Sequence, residues 1–291
     1  MIKIKQITKT LSIVAIGALC FTGSAFAEEK TTSTAPVQVE SEKTAAPVPT
    51  PTQPAKSSVS SEQMVNLAGR QRMLSQRMAK DYFYAGKNIN KGNALKQLKK
   101  SLADFKKTQT LLSKEISDEE IKNLIVFVNM SLDEFVDISG EPYSVDNGTI
   151  ILDLSESMLE GSQYVVQALT KGKASNEIID IAGKQRMLSQ RIAKYYIAYQ
   201  AGIKDDNTIN QTKETVKEFD AILKKLIANP SNTIEIKKEL AKVNKMWNIV
   251  YKFYLNIEKG GLPIIVFSTT DDITKKMNKI VGMYVKALET K

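Results

Sequence analysis

The sequence predicts an all-α fold: two tandem up-down four-helix bundles joined end to end by a near-continuous helix. Three observations lead there. The stretch Ala68-Gly69-Arg70-Gln71-Arg72-Met73-Leu74-Ser75-Gln76-Arg77-Met78-Ala79-Lys80 returns 114 residues later as Ala182-Gly183-Lys184-Gln185-Arg186-Met187-Leu188-Ser189-Gln190-Arg191-Ile192-Ala193-Lys194. Near-identity over that length marks a tandem duplication. Beyond Ser61, proline is confined to Pro142, Pro230 and Pro263, and between those breaks apolar residues recur at three- and four-residue steps.

The elements follow in order. Met64, Leu67, Leu74, Met78 and Tyr82 trace the first helix, and Leu95, Leu98, Leu102, Phe105 and Leu112 the second. Ser117 with Glu120 reads as a capping box ahead of Ile121, Leu124, Ile125 and Val128. After a turn at Ser139-Gly140-Glu141-Pro142, a fourth helix carries Ile151, Leu154, Met158 and Val165. Only Lys171-Gly172-Lys173 interrupts the chain before the second motif, so the fourth helix is expected to run almost directly into the fifth. The second unit then repeats the order over roughly 175–203, 207–229, 232–258 and 268–290, with Pro263 in its last loop as Pro142 is in the first. The boundaries expected are 61–173 for the first bundle and 174–291 for the second.

Ahead of the bundles, Lys3, Lys5 and Lys9 precede an apolar run from Leu11 to Phe21 and a small-x-small pattern at Ala25-Phe26-Ala27. This reads as a signal peptide over 1–27, with an uncleaved membrane anchor as the alternative, and it places the remainder in the periplasm. Residues 28–60 hold five of the eight prolines among Thr, Ser and Ala, the composition of an extended tether. Cys20 is the one cysteine and lies in the leader, and the chain has no histidine. The common zinc and haem ligands and the Ser-His and Cys-His nucleophile pairs are therefore missing, so neither enzyme chemistry nor a cofactor is expected. Losing the three leader lysines lowers the formal charge from +9 to +6. For an exported protein that balance points to an anionic membrane surface, an acidic partner or a small anion, with most of the lysines simply solvated, and no nucleic-acid partner is expected.

The repeated motif is the candidate site. Met64, Leu67, Gln71, Leu74 and Met78 form a core stripe, while Ala68, Arg72, Ser75 and Ala79 lie on a second stripe of mostly small residues. Gly69 opens a notch beside Arg72 and Gln76, and Gly183 does the same beside Arg186 and Gln190. A glycine inside a helix costs about 1 kcal/mol against alanine, and close helix approach with an arginine in the seam would offset that. A guanidinium suits a small oxyanion, with Ser75 and Gln76, or Ser189 and Gln190, completing its shell. A ligand-free reading accounts for the same arginines: they pair with carboxylates or cover apolar surface. Arg70 and Arg77 are expected to point away from the seam. Tyr82, Tyr84, Tyr195, Tyr196 and Tyr199 are read as core tyrosines with wet hydroxyls rather than an aromatic box.

The stretch Asn66 to Met78 resembles the signature of the PilJ/NarX-type sensor domain, the extracytoplasmic part of type IV pili chemotaxis transducers and nitrate/nitrite sensor kinases. The resemblance spans both units. It implies four-helix bundles with the motif on the first helix. It also implies that an anion is bound at a dimer interface by a motif arginine, which corresponds by position to Arg72 and Arg186. No HAMP, kinase or methyl-accepting region is recognisable, so the resemblance implies a separate membrane sensor or chemoreceptor as partner. Nitrate- or nitrite-like anions, and a homodimer with two copies of Arg72 across its seam, complete the expected partners. The rival reading is a ligand-free interaction module docking on a pilus, chemoreceptor or envelope component.

Overall fold

The computed structural model describes residues 59–171 and 174–290. The expected leader, and all of the expected tether except Val59 and Ser60, lie outside the described residues. Eight α-helices are present among them: α1 (Ser61–Gly86), α2 (Lys91–Glu115), α3 (Glu119–Gly140), α4 (Val145–Thr170), α5 (Ala174–Gln200), α6 (Asp206–Ile227), α7 (Ile234–Tyr254) and α8 (Pro263–Glu289). A single 3-10 turn, Ile257–Lys259, precedes α8. The all-helical expectation holds.

Local chemistry sets the helix starts. Ser60, Ser144, Asp205 and Thr233 each accept a hydrogen bond from a first-turn amide of the helix they precede, satisfying donors that have no intrahelical partner. Two expected boundaries move. Asp118, not Ser117, caps α3, taking the amides of Glu120 and Ile121 on its carboxylate. Pro263 is not in a loop but opens α8, where its missing N–H costs nothing.

Each half is a four-helix bundle. In the first, α1 packs on α2 and α4, and α4 on α3; in the second, α5 packs on α6 and α8, with α7 closing the far side. Apolar stripes fill both cores: Ile121, Ile125, Val128 and Leu132 on α3 are buried, as are Ile236, Leu240, Val243 and Trp247 on α7. Trp247 stacks on Phe219 with ring centroids 4.1 Å apart and donates its indole N–H to Asp220, which ties α7 to α6.

The end-to-end arrangement is not observed. The most extensive helix contact in the molecule is between α1 and α5, the two motif helices, so the bundles lie side by side with the repeats facing each other. The helices run parallel and in register: Ser61 meets Asn176, Arg72 meets Asp180, and Arg77 meets Gln190. By contrast, α4 runs antiparallel to α1, since Arg72 bonds Gln163 and Gln76 bonds the carbonyl of Ser155. The chain must therefore reverse between α4 and α5, and Lys171 closes α4 by donating its amide to the Gln167 carbonyl. A stacked arrangement would have left one face of each motif helix in solvent. Here α1 is enclosed by α2, α4 and α5, and every residue from Gln71 to Gln76 is buried. No helix among the described residues is long and apolar enough to cross a membrane.

Candidate functional site

The seam between α1 and α5 is polar along its length although it is buried. Arg72, Gln76 and Lys80 face it from one helix; Arg186, Gln190 and Lys194 face it from the other; all six are essentially inaccessible to solvent. The notch expected at Gly69 is real and holds two guanidiniums. A Cβ there would lie 3.1 Å from Arg72 Nη2 and 3.6 Å from Arg186 Nη2, and Gly183 mirrors this at 3.1 Å from Arg186 and 3.6 Å from Arg72. Each glycine thus makes room for its own arginine and for that of the other repeat. Within one chain, Arg72 faces Arg186 across this seam, in the manner expected of two copies of Arg72 in a dimer.

The two arginines are held by equivalent positions of different chemistry. Arg72 donates through Nη2 to the Asp180 carboxylate at 2.6 Å and through Nη1 to Gln163. Arg186 donates through Nη1 to Asn66 at 2.9 Å and to Asn278 at 2.8 Å. Asn66 and Asp180 occupy the same place in the two repeats, each reaching across to the other repeat's arginine. Among the described residues, one guanidinium therefore has a carboxylate partner and the other only amides. Burial, followed by the neighbouring charges of Arg72 and Arg70, pulls Arg186 down to about 9, still protonated at neutral pH. Arg72 keeps one donor, Nε, without an acceptor among the described residues.

The remaining site residues make their hydrogen bonds away from the two guanidiniums. Ser75 and Ser189 donate their hydroxyl protons to the carbonyls of Arg72 and Arg186 on their own helices. Gln76 donates to the Ser155 carbonyl on α4, and Gln190 to Thr274 and Asp271 on α8. The two glutamines brace the motif helices against the last helix of each bundle, and, against expectation, none of the four hydrogen-bonds the guanidinium of Arg72 or Arg186. Gln71 and Gln185 form a matching pair of braces, each donating to a carbonyl 34 residues on, Phe105 and Phe219. Arg70 points away from the seam, as expected, to Asp104 on α2. Arg77 does not, since its Nε faces Gln190. Tyr84 and Tyr196 are buried with their hydroxyls donated to the carbonyls of Pro263 and Gly261, fastening the connection into α8.

Farther along the seam lies a charged layer that the motif spacing did not reveal. Lys80 reaches Asp271 on α8 at 2.7 Å, and Lys194 pairs with Glu156 on α4, so each bundle's lysine takes a carboxylate of the other bundle. Burial would raise the Glu156 carboxyl, but Lys194 and Arg191 outweigh it and hold it below the usual range. Lys194 itself is drawn down to about 8, chiefly by burial. Asp81 is fully buried, its oxygens have no hydrogen-bond partner among the described residues, and Lys80 stands 3.4 Å from it. Burial pushes it up to about 7. Aligning the two copies of the last helix shows the signal for the pairs: Glu156 and Asp271 are acids at matching places in otherwise divergent segments.

A groove of about 430 Å³ lies beside α4. It is lined by Gln163, Lys184, Met187, Arg191 and Glu156, among others, and Gln163 is the side chain that holds Arg72. The family model described as PilJ, type IV pili methyl-accepting chemotaxis transducer N-term, matches residues 55–121 and 168–257, each segment containing one motif helix. No curated protein and no solved structure matches the chain.

Proposed function

The chain belongs to the PilJ family, the N-terminal domain of type IV pili methyl-accepting chemotaxis transducers, and we propose that it is an exported sensor module taking one small monovalent oxyanion between Arg72 and Arg186. The family is a signalling module rather than a catalyst. One observation carries the ligand: two fully buried guanidiniums share a notch that contains a single carboxylate, that of Asp180. Removing a charge from water costs several kcal/mol unless it is paired, and Asn66 leaves Arg186 unpaired. A nitrate- or nitrite-like anion reached through the Gln163 groove would supply the missing charge in a planar shape that a guanidinium fits. Occupancy would draw α1 and α5 together at this level, and their relative position is what a membrane chemoreceptor partner would read. In this reading the tandem chain does alone what a homodimer of single domains does with two.

Thermal unfolding with nitrate, nitrite and small carboxylates tests it. The melting temperature should rise with the fitting anion, by the equivalent of about 2.7 kcal/mol at 100 times the dissociation constant. Asn66→Asp should raise the anion-free melting temperature and abolish the response, because it supplies the charge permanently. The rival reading, a ligand-free interaction module, is favoured by the Arg72–Asp180 pair, which completes that arginine without a ligand. It would be left standing if no anion shifts the wild-type protein.

A further inference from the structure

The two bundles bury their third helices alike but expose opposite chemistry. Ile121, Ile125, Val128 and Leu132 of α3 and Ile236, Leu240, Val243 and Trp247 of α7 occupy matching core positions. That register pairs the outward residues one to one. Phe127 and Met130 on α3 correspond to Lys242 and Lys245 on α7, while Glu134 and Asp137 correspond to Ile249 and Lys252. Every charged residue of α3 and α4 is a carboxylate except Lys122, and that lysine is already paired with Glu119. On α7 five lysines stand against two glutamates, of which Glu239 is engaged by Lys242 and Lys279.

Both faces also carry apolar side chains in solvent. Val126, Phe127 and Met130 are 56, 49 and 68 % exposed, and Ile234 and Ile249 on α7 are 81 and 73 % exposed. Phe127 lies over Gly161 of α4, where a Cβ would come within 3.3 Å of its ring, so Phe127 joins the α3 face to that of α4. Exposed apolar side chains set among charges of one sign, with a second face that sets them among charges of the other, are the composition of a protein interface. Because α3 and α7 are the outer helices of side-by-side bundles, the two faces look away from each other and cannot meet within one chain.

We propose that copies of this chain associate head to tail, the acidic α3/α4 face of one seating on the basic α7 face of the next. The contact joins unlike surfaces, so it does not close on itself in pairs and each added copy presents a fresh face. The proposal is independent of any anion at the seam.

Sedimentation velocity on the purified full chain tests it, over a range of concentrations at low and at high salt. Assemblies should grow with concentration at low salt and shrink as salt screens the charges. The triple variants Asp133→Lys/Glu134→Lys/Asp137→Lys and Lys238→Glu/Lys245→Glu/Lys252→Glu alter only exposed positions, and circular dichroism should show unchanged helix content. Each variant alone should sediment as a monomer, since its two faces then carry like charge. An equimolar mixture of the two should assemble again, because each reversed face now meets a complementary one. A wild-type chain that stays monomeric at low salt overturns the proposal, as does association that survives either reversal. If the wild type is monomeric but pellets with anionic vesicles, and the lysine-reversed variant does not, the basic face belongs to a membrane surface instead.

Discussion

Arg72 and Arg186 occupy the same position in two copies of one motif, at equal depth, each facing the other's glycine, yet they are held in opposite ways. Asp180 neutralises the first, and Asn66 only hydrogen-bonds the second. A homodimer could not make this distinction, because any change on one side would appear on the other. Duplication within a chain separates the two sides: one arginine has a carboxylate partner, and the other is held by the amides of Asn66 and Asn278. The same separation recurs at Asp81, whose counterpart in the second repeat is Tyr195.

The sharpest way to break the contrast is Asp180→Asn. It makes the two sides alike and leaves two buried guanidiniums with no carboxylate between them. Stability in anion-free buffer should fall by about 3–5 kcal/mol, the usual cost of stranding a buried charge, and denaturant titration would measure it. Added oxyanion should recover part of that loss.

The second test concerns Asp81, with Lys80, Arg77 and Asp271 as its charged neighbours. Its carboxyl is raised from 3.8 to about 7, so between those values the unfolded chain loses the proton while the folded chain keeps it. Stability from this group is therefore full below pH 4 and is lost as pH rises to 7. Asp81→Asn should match the wild type near pH 4 and exceed it at pH 8 by about 2–4 kcal/mol. Equal stability at both pH values would place the carboxyl at its ordinary value.

A smaller effect separates the arginines themselves. Arg186→Met removes a charge that lacks a counter-charge, and should leave the anion-free protein unchanged or stabilise it by about 1 kcal/mol. Arg72→Met strands Asp180, whose side chain is 26 % exposed, and should cost about 1–2 kcal/mol. The smallest effect belongs to Arg70→Ala. Its bridge to Asp104 is partly solvated, so its loss should stay within about 0.5 kcal/mol and leave any anion response intact.

Much of this was legible in the sequence. Apolar spacing and proline placement marked the helices in order, because helix period and backbone chemistry are local properties. The repeat disclosed the duplication, and Gly69 beside Arg72 disclosed the notch, because a glycine three residues before an arginine leaves space on that arginine's own helix face. Tertiary structure decided the rest. Whether the fourth helix continued into the fifth or turned back depended on how Lys171 closed its last turn, and no strong breaker announced it. Ser75 and Gln76 looked like ligand donors since their helix face seemed free; with α4 and α5 packed on either side, their hydrogen bonds go to the protein. The pairing of Arg72 with Asp180 and of Arg186 with Asn66 exists only once α1 and α5 lie parallel and in register. Residues 108 and 120 positions apart become neighbours through packing, and no local pattern encodes that.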